Sequence, residues 1–163
     1  MSSKKEKQLS FGYIKTEGIG NNCEKDVKEK IAQADLKVVL ERDILVDYFS
    51  LRKHQPILFD LDGGLDDVWK IQGAARLIGS TVRGIVVVGE DAIAKLFRIK
   101  LEIRRKYALP CEFDRILGVS YPNFMHAADN KEQVEQDIRV LVPDLLQFCI
   151  ETNGSHQIKD RVW

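Results

Sequence analysis

Four carboxylates fall within eight residues of the segment FDLDGGLDD: Asp60, Asp62, Asp66 and Asp67. Oxygen ligands at that density suit a hard cation, Mg²⁺ or Ca²⁺, provided the folded chain makes them converge. Asp60 also follows the apolar run Ile57, Leu58, Phe59, so it would stand at the tip of a buried strand, where a carboxylate can handle phosphate. The same residues have a second reading: loop carboxylates that cap the helix beginning near Leu65, with Asp66 and Asp67 favouring its first turn. Lys100, Arg104, Arg105 and Lys106 cluster further on, but Glu102 lies among them, and a solvated helix face accounts for the pattern. Cys23, Cys111 and Cys149 have no CxxC or Cys/His ligand spacing, which fits reduced thiols and excludes a zinc site built on them.

The elements that must position these groups come from hydrophobic periodicity. The 163 residues suit one domain, at residues 9–150, between polar tails at 1–8 and 151–163. A formal net charge of zero gives no electrostatic reason to bind nucleic acid or an acidic membrane. The polar start MSSKKEKQ has no apolar stretch behind it, and no run reaches bilayer length, so a cytoplasmic protein is expected. Strands are expected at 9–15, 36–40, 57–60 and 84–88, with a fifth at 113–119. Helical stripes separate them: Val27, Ile31 and Ala34; then Ile44, Tyr48 and Leu51; then Leu65, Val68, Trp69 and Leu77. A basic helix follows over 91–107, with Ile93, Leu96, Phe97, Leu101 and Ile103 inward. The last helix is capped by Asn130 with Gln133 three residues on, and Pro143 bends or divides it. Continuous apolar strands alternating with helices predict a doubly wound, five-stranded parallel sheet, flavodoxin-like (βα)₅. Its working crevice would lie beside the first and third strands, joining residues 15–18 to DLDGG.

With Asp60 ending a third strand and SYPNF preceding the last helix, residues 9–149 resemble the receiver domains of two-component signalling. The resemblance puts Asp60 at the phosphoacceptor position and Pro122 at the proline that follows the family's lysine. Several family residues are absent. Lys15, Thr16 and Glu17 stand where an acidic pair would chelate magnesium, so only Glu17 joins Asp60 and Asp62 as a metal ligand. Val88 or Gly89 replaces a hydroxyl residue, and Tyr121 replaces the lysine. Without that charge compensation, phosphorylation of Asp60 is not expected. The resemblance then implies a pseudo-receiver: a regulatory module that binds a protein partner or forms a homodimer through its fourth-helix/fifth-strand face.

Two other segments, YIKTEG and NFMHAADNKEQVEQDI, resemble the lysine and active-histidine segments of nucleoside diphosphate kinases. That resemblance implies His126 as the nucleophile, Lys15 and Asn123 as contacts to phosphate or substrate, and Asp137 in place of a glutamate that orients the histidine. Tyr48 matches a family tyrosine. Ala127 and Ala128 replace the Gly-Ser after the histidine, Arg98 and Arg115 match the phosphate loop only loosely, and PILFDLDGG lies where the family has a helix. Otherwise His126 is an ordinary histidine before a helix cap. FDLDGG also resembles the nucleophile motif of haloacid-dehalogenase-type phosphatases, and DLDGGLDD the calcium cluster of nucleoside hydrolases; both families place these motifs at the start of longer folds. The receiver-like interaction module, not an enzyme, is the leading expectation. The alternative is a divergent nucleoside diphosphate kinase, with Mg²⁺ as the one cofactor in view.

Overall fold

The computed structural model describes residues 7–64, 67–107 and 124–154. Its sheet has four strands: β1 (Lys7–Ile14), β2 (Lys37–Leu45), β3 (Thr81–Glu90) and β4 (Met125–Ala127). They lie in the order β2-β3-β1-β4, and every neighbouring pair is antiparallel. This overturns the five-stranded parallel sheet. The expected fifth strand, at 113–119, lies outside the described residues.

The reason for the difference lies in β3. Ile85 and Val87 point to one face while Val82 and Val86 point to the other, and all four are buried because helices cover both faces. Two-sided burial produces a continuous apolar run whichever way the neighbouring strands point. The helices are α1 (Asn22–Gln33), α2 (Tyr48–His54), α3 (Asp67–Leu77), α4 (Ala92–Tyr107), α5 (Lys131–Leu141) and α6 (Leu146–Asn153). α1 and α4 pack on the Ile14, Ile85 and Val87 face, while α2, α3, α5 and α6 cover the face carrying Leu9, Phe11 and Tyr13.

PILF, expected as the third strand, instead forms a 3-10 turn over Pro56–Phe59. Proline has no amide proton to contribute to a ladder, and its fixed φ suits the first turn of a helix. Of the apolar trio only Leu58 is buried, and Ile57 is 54% exposed, so the run never had the two buried faces of an interior strand. β2 in turn outlasts its expected end at 40, running to Leu45 with a bulge between Val38 and Leu40. α2 therefore starts at Tyr48, capped by Asp47, whose carboxylate accepts from the Ser50 amide at 2.7 Å.

The C-terminal half behaves more as its pattern implies. Asn130 caps α5 by accepting from the Gln133 amide at 2.8 Å, although the Gln133 side chain answers to the Asp129 amide, not to that of Asn130. After Pro143 the chain turns into α6, whose last residue returns to the sheet. Asn153 accepts from the Leu9 amide at 2.7 Å and donates to the Leu9 carbonyl at 3.1 Å. Lys30 pairs with Glu102 and Lys106 with Asp26, tying α4 to α1, and the fifth strand expected to share a docking face with this helix lies outside the described residues. Among the described residues no helix is long and apolar enough to cross a membrane.

Candidate functional site

β1 and β4 build the site. Residues on one strand alternate between faces, so Tyr13 shares the face of Phe11 and Leu9, and antiparallel pairing sets His126 directly opposite it. The two rings stack at 4.8 Å between centroids. Gly12, one residue earlier, lets the strands close: a Cβ there would stand 2.6 Å from the His126 carbonyl oxygen. The Lys15 amide extends the pairing by donating to the Phe124 carbonyl at 2.8 Å.

α5 supplies the partner of His126. Val134, Ile138 and Leu141 form its buried stripe, and Asp137 falls within that stripe, fully buried. Its Oδ2 lies 2.7 Å from Nε2 of His126, while Oδ1 has no hydrogen-bond partner among the described residues. A buried carboxylate with an idle oxygen is costly unless it has a task. Here it holds the imidazole proton on Nε2 and leaves the lone pair on Nδ1. The tautomer thereby leaves Nδ1 as the ring nitrogen with a free lone pair.

The end of α2 covers Nδ1. His54 is buried, with Nδ1 2.8 Å from the Ser50 carbonyl and Nε2 3.3 Å from the Tyr13 hydroxyl. Burial holds the His54 pKa below the ordinary value, and burial together with the Asp137 charge pushes the Tyr13 phenol well above its own. Gln55 donates to the Tyr13 hydroxyl at 2.7 Å and lies 3.2 Å from Nδ1 of His126.

Cations gather beside this cluster. Burial lowers the Lys15 pKa to about 8; Glu17 opposes the shift, while Arg76, Lys100 and Arg104 reinforce it by repulsion. Burial also lowers Lys100, which is held up in part by Asp129 and Asp137. Lys15 thus feels the positive charge of Arg76, Lys100 and Arg104, and Lys100 in turn feels Asp137, a field suited to a polyanion.

The acidic segment does different work. Asp60 is exposed after a 3-10 turn, and its backbone carbonyl, not its carboxylate, accepts from Lys70. Asp62 accepts from the Gly64 amide, and Asp67 takes the amides of Asp62 and Gly63, so these carboxylates fold the loop ahead of α3. Glu17 lies in a separate 3-10 turn after β1. Among the described residues no group of three His, Cys, Asp or Glu side chains could hold a metal. Asp60 as a phosphoacceptor and Glu17, Asp60 and Asp62 as a metal set are therefore not supported: the sheet never gives Asp60 a strand tip to stand on.

Of the other expected residues, Tyr48 is 41% exposed and meets Phe49 and Phe59 edge to face. Arg98 is exposed on α4. Asn123, Arg115, Tyr121 and Pro122 lie outside the described residues. Cys23 and Cys149 are free, with burial raising their thiols to about 11 and about 12. Sequence reasoning missed Tyr13, His54 and Gln55. Tyr13 could have been found, since it lies two residues before Lys15, near the end of β1; His54 and Gln55 carry no such signal.

No family model matches the chain, and no curated protein matches it. Solved structures do. The nucleoside diphosphate kinase of Encephalitozoon cuniculi superposes with a TM-score of 0.60 at 19% identity, over 86% of this chain and 92% of that one. The Pyrobaculum aerophilum enzyme gives 0.61 at 14% identity, over 82% and 94%. The Borrelia burgdorferi enzyme, solved as a transition-state mimic with vanadate and ADP, gives 0.57 at 20%, over 82% and 86%. The fold is that of nucleoside diphosphate kinases. It replaces the receiver-like reading, whose parallel sheet is absent.

Proposed function

We propose that the protein is a divergent nucleoside diphosphate kinase-like phosphotransferase in which His126 carries the phosphoryl group. The observation that supports this best is the buried His126–Asp137 pair at 2.7 Å, which directs the imidazole lone pair to Nδ1. In the first half-reaction Nδ1 attacks the terminal phosphorus of a nucleoside triphosphate. The N–P bond forms, the P–O bond to the diphosphate breaks, and the leaving oxygen departs with that electron pair. The proton on Nε2 stays in place. The ring gains positive charge as the bond forms, and the Asp137 carboxylate stabilises that charge in a site too dry for water to do so. In the second half-reaction an acceptor diphosphate attacks the same phosphorus and restores free His126.

Lys15 would contact the phosphates, with Lys100 and Arg104 adding to the field. Mg²⁺ would come as a companion of the substrate's phosphates, which fits a chain that offers no carboxylate cluster among its described residues. Incubation with terminally labelled ATP and Mg²⁺ should give an acid-labile, base-stable phosphoprotein that is lost in His126→Ala and discharged by a nucleoside diphosphate. Label that persists in His126→Ala, or a folded protein that takes none, overturns the assignment.

A further inference from the structure

His126 is 8% exposed, so any reaction at Nδ1 must first displace what covers it. The covering group is the Gln55 amide, 3.2 Å away. Gln55 caps the C-terminus of α2 just before Pro56 and is only half-buried, whereas Tyr13, His54 and Asp137 around it are buried.

The direction of each hydrogen bond follows from the two ends of the network. The Ser50 carbonyl can only accept, so the proton of His54 sits on Nδ1 and its Nε2 accepts. The Tyr13 hydroxyl must then donate to His54, which leaves its oxygen to accept from Gln55. At the other end the Asp137 carboxylate accepts from Nε2 of His126, leaving Nδ1 as an acceptor for the second proton of the Gln55 amide. One NH₂ group therefore feeds both directions, and with both imidazoles neutral no other assignment satisfies both the carbonyl and the carboxylate. A carboxylate at position 55 would reverse the last bond and draw a proton onto Nδ1.

We propose that Gln55 is a latch on the nucleophile: its amide holds the Nδ1 lone pair in place and shields it from small electrophiles until a bound phosphoryl group displaces it. On transfer the N–P bond replaces the hydrogen bond, the leaving-group P–O bond breaks, and the freed amide proton turns to a phosphoryl oxygen without leaving Gln55. The consequence for catalysis rests on the phosphotransferase reading above, but the latch itself does not.

The test uses the full chain labelled with ¹⁵N, together with phosphoramidate, a phosphoryl donor that needs no nucleotide site. Long-range ¹H–¹⁵N spectra of the wild type should place the His126 proton on Nε2 and the His54 proton on Nδ1. Gln55→Leu should move the His126 Nδ1 resonance toward that of an unbonded lone pair and speed phosphoramidate labelling about 2- to 10-fold, the span of one lost hydrogen bond. Gln55→Glu should protonate Nδ1 and slow labelling by at least as much. A wild-type His126 protonated on Nδ1, or a Gln55→Leu protein with unchanged Nδ1 resonance and labelling rate, overturns the latch. The wild-type spectra decide even if a variant does not fold. Should the tautomers and the Gln55→Leu response hold while ATP never labels His126, the latch stands and the kinase reading falls. If ATP labels His126 and Gln55→Leu changes nothing, the kinase reading stands and the latch falls.

Discussion

Tyr13 and His126 face one another across antiparallel neighbours, their planes within 27° of parallel. The stack fixes the imidazole from one side while Asp137 fixes it from its edge, so the ring has little freedom left except at Nδ1. A ring held this way needs little reorganisation to react.

Asp137→Asn separates stability from chemistry. The amide oxygen can still accept from Nε2 of His126, but the buried charge with its idle Oδ1 is gone. Thermal unfolding should show a Tm equal to or above the wild type, while phosphohistidine formation from ATP falls on the order of 10²-fold because the cationic ring loses its counter-charge.

Lys15 predicts a pH dependence. Its pKa falls from the ordinary 10.5 in the unfolded chain to about 8 in the folded one, chiefly by burial. Between those values the unfolded chain binds a proton that the folded chain lacks, so stability rises as pH climbs through that window. Lys15→Met should flatten the rise by about 2–3 kcal/mol in urea titrations and stabilise the protein near neutral pH. Nucleotide affinity of the wild type should weaken as pH passes about 8 and Lys15 loses its charge.

Gly12→Ala should damage the site without touching a functional group. The new methyl would press on the His126 carbonyl, which is backbone and cannot rotate away, so β4 must shift from β1. A loss of about 1–3 kcal/mol in chemical denaturation is expected, together with an altered His126 ring environment by NMR. Ala at neighbouring Ser10, which shares the strand face of Gly12 but has an unpaired buried hydroxyl, should be nearly neutral.

The acidic loop should prove structural. Asp67→Ala removes the acceptor of two backbone amides and should cost about 0.5–2 kcal/mol, whereas Asp60→Ala should leave both stability and His126 labelling unchanged. Capture of beryllofluoride at Asp60 in the intact protein would contradict this.

Local rules read well from the sequence. Helix stripes such as Val27–Ile31 and Val134–Ile138, the Asn130 cap and the β3 run all appear where their spacing placed them, because each depends on residues within a turn or two. The weaker family resemblance also pointed to His126, Lys15 and Asp137 from short segments. ILFD misled, because three apolar residues after a proline satisfy a strand and a 3-10 turn equally well.

By itself the chain determined the buried stripes of helices such as α1 and α5, and that a histidine precedes a capped helix carrying an aspartate. Strand direction was decided only by the tertiary structure, since side-chain burial records that a strand is covered and not which way its neighbour points. The same holds for the site: Tyr13, Gln55, His126 and Asp137 come from four separate elements, and only the β1–β4 register and the packing of α2 and α5 on one face bring their polar atoms within hydrogen-bond reach.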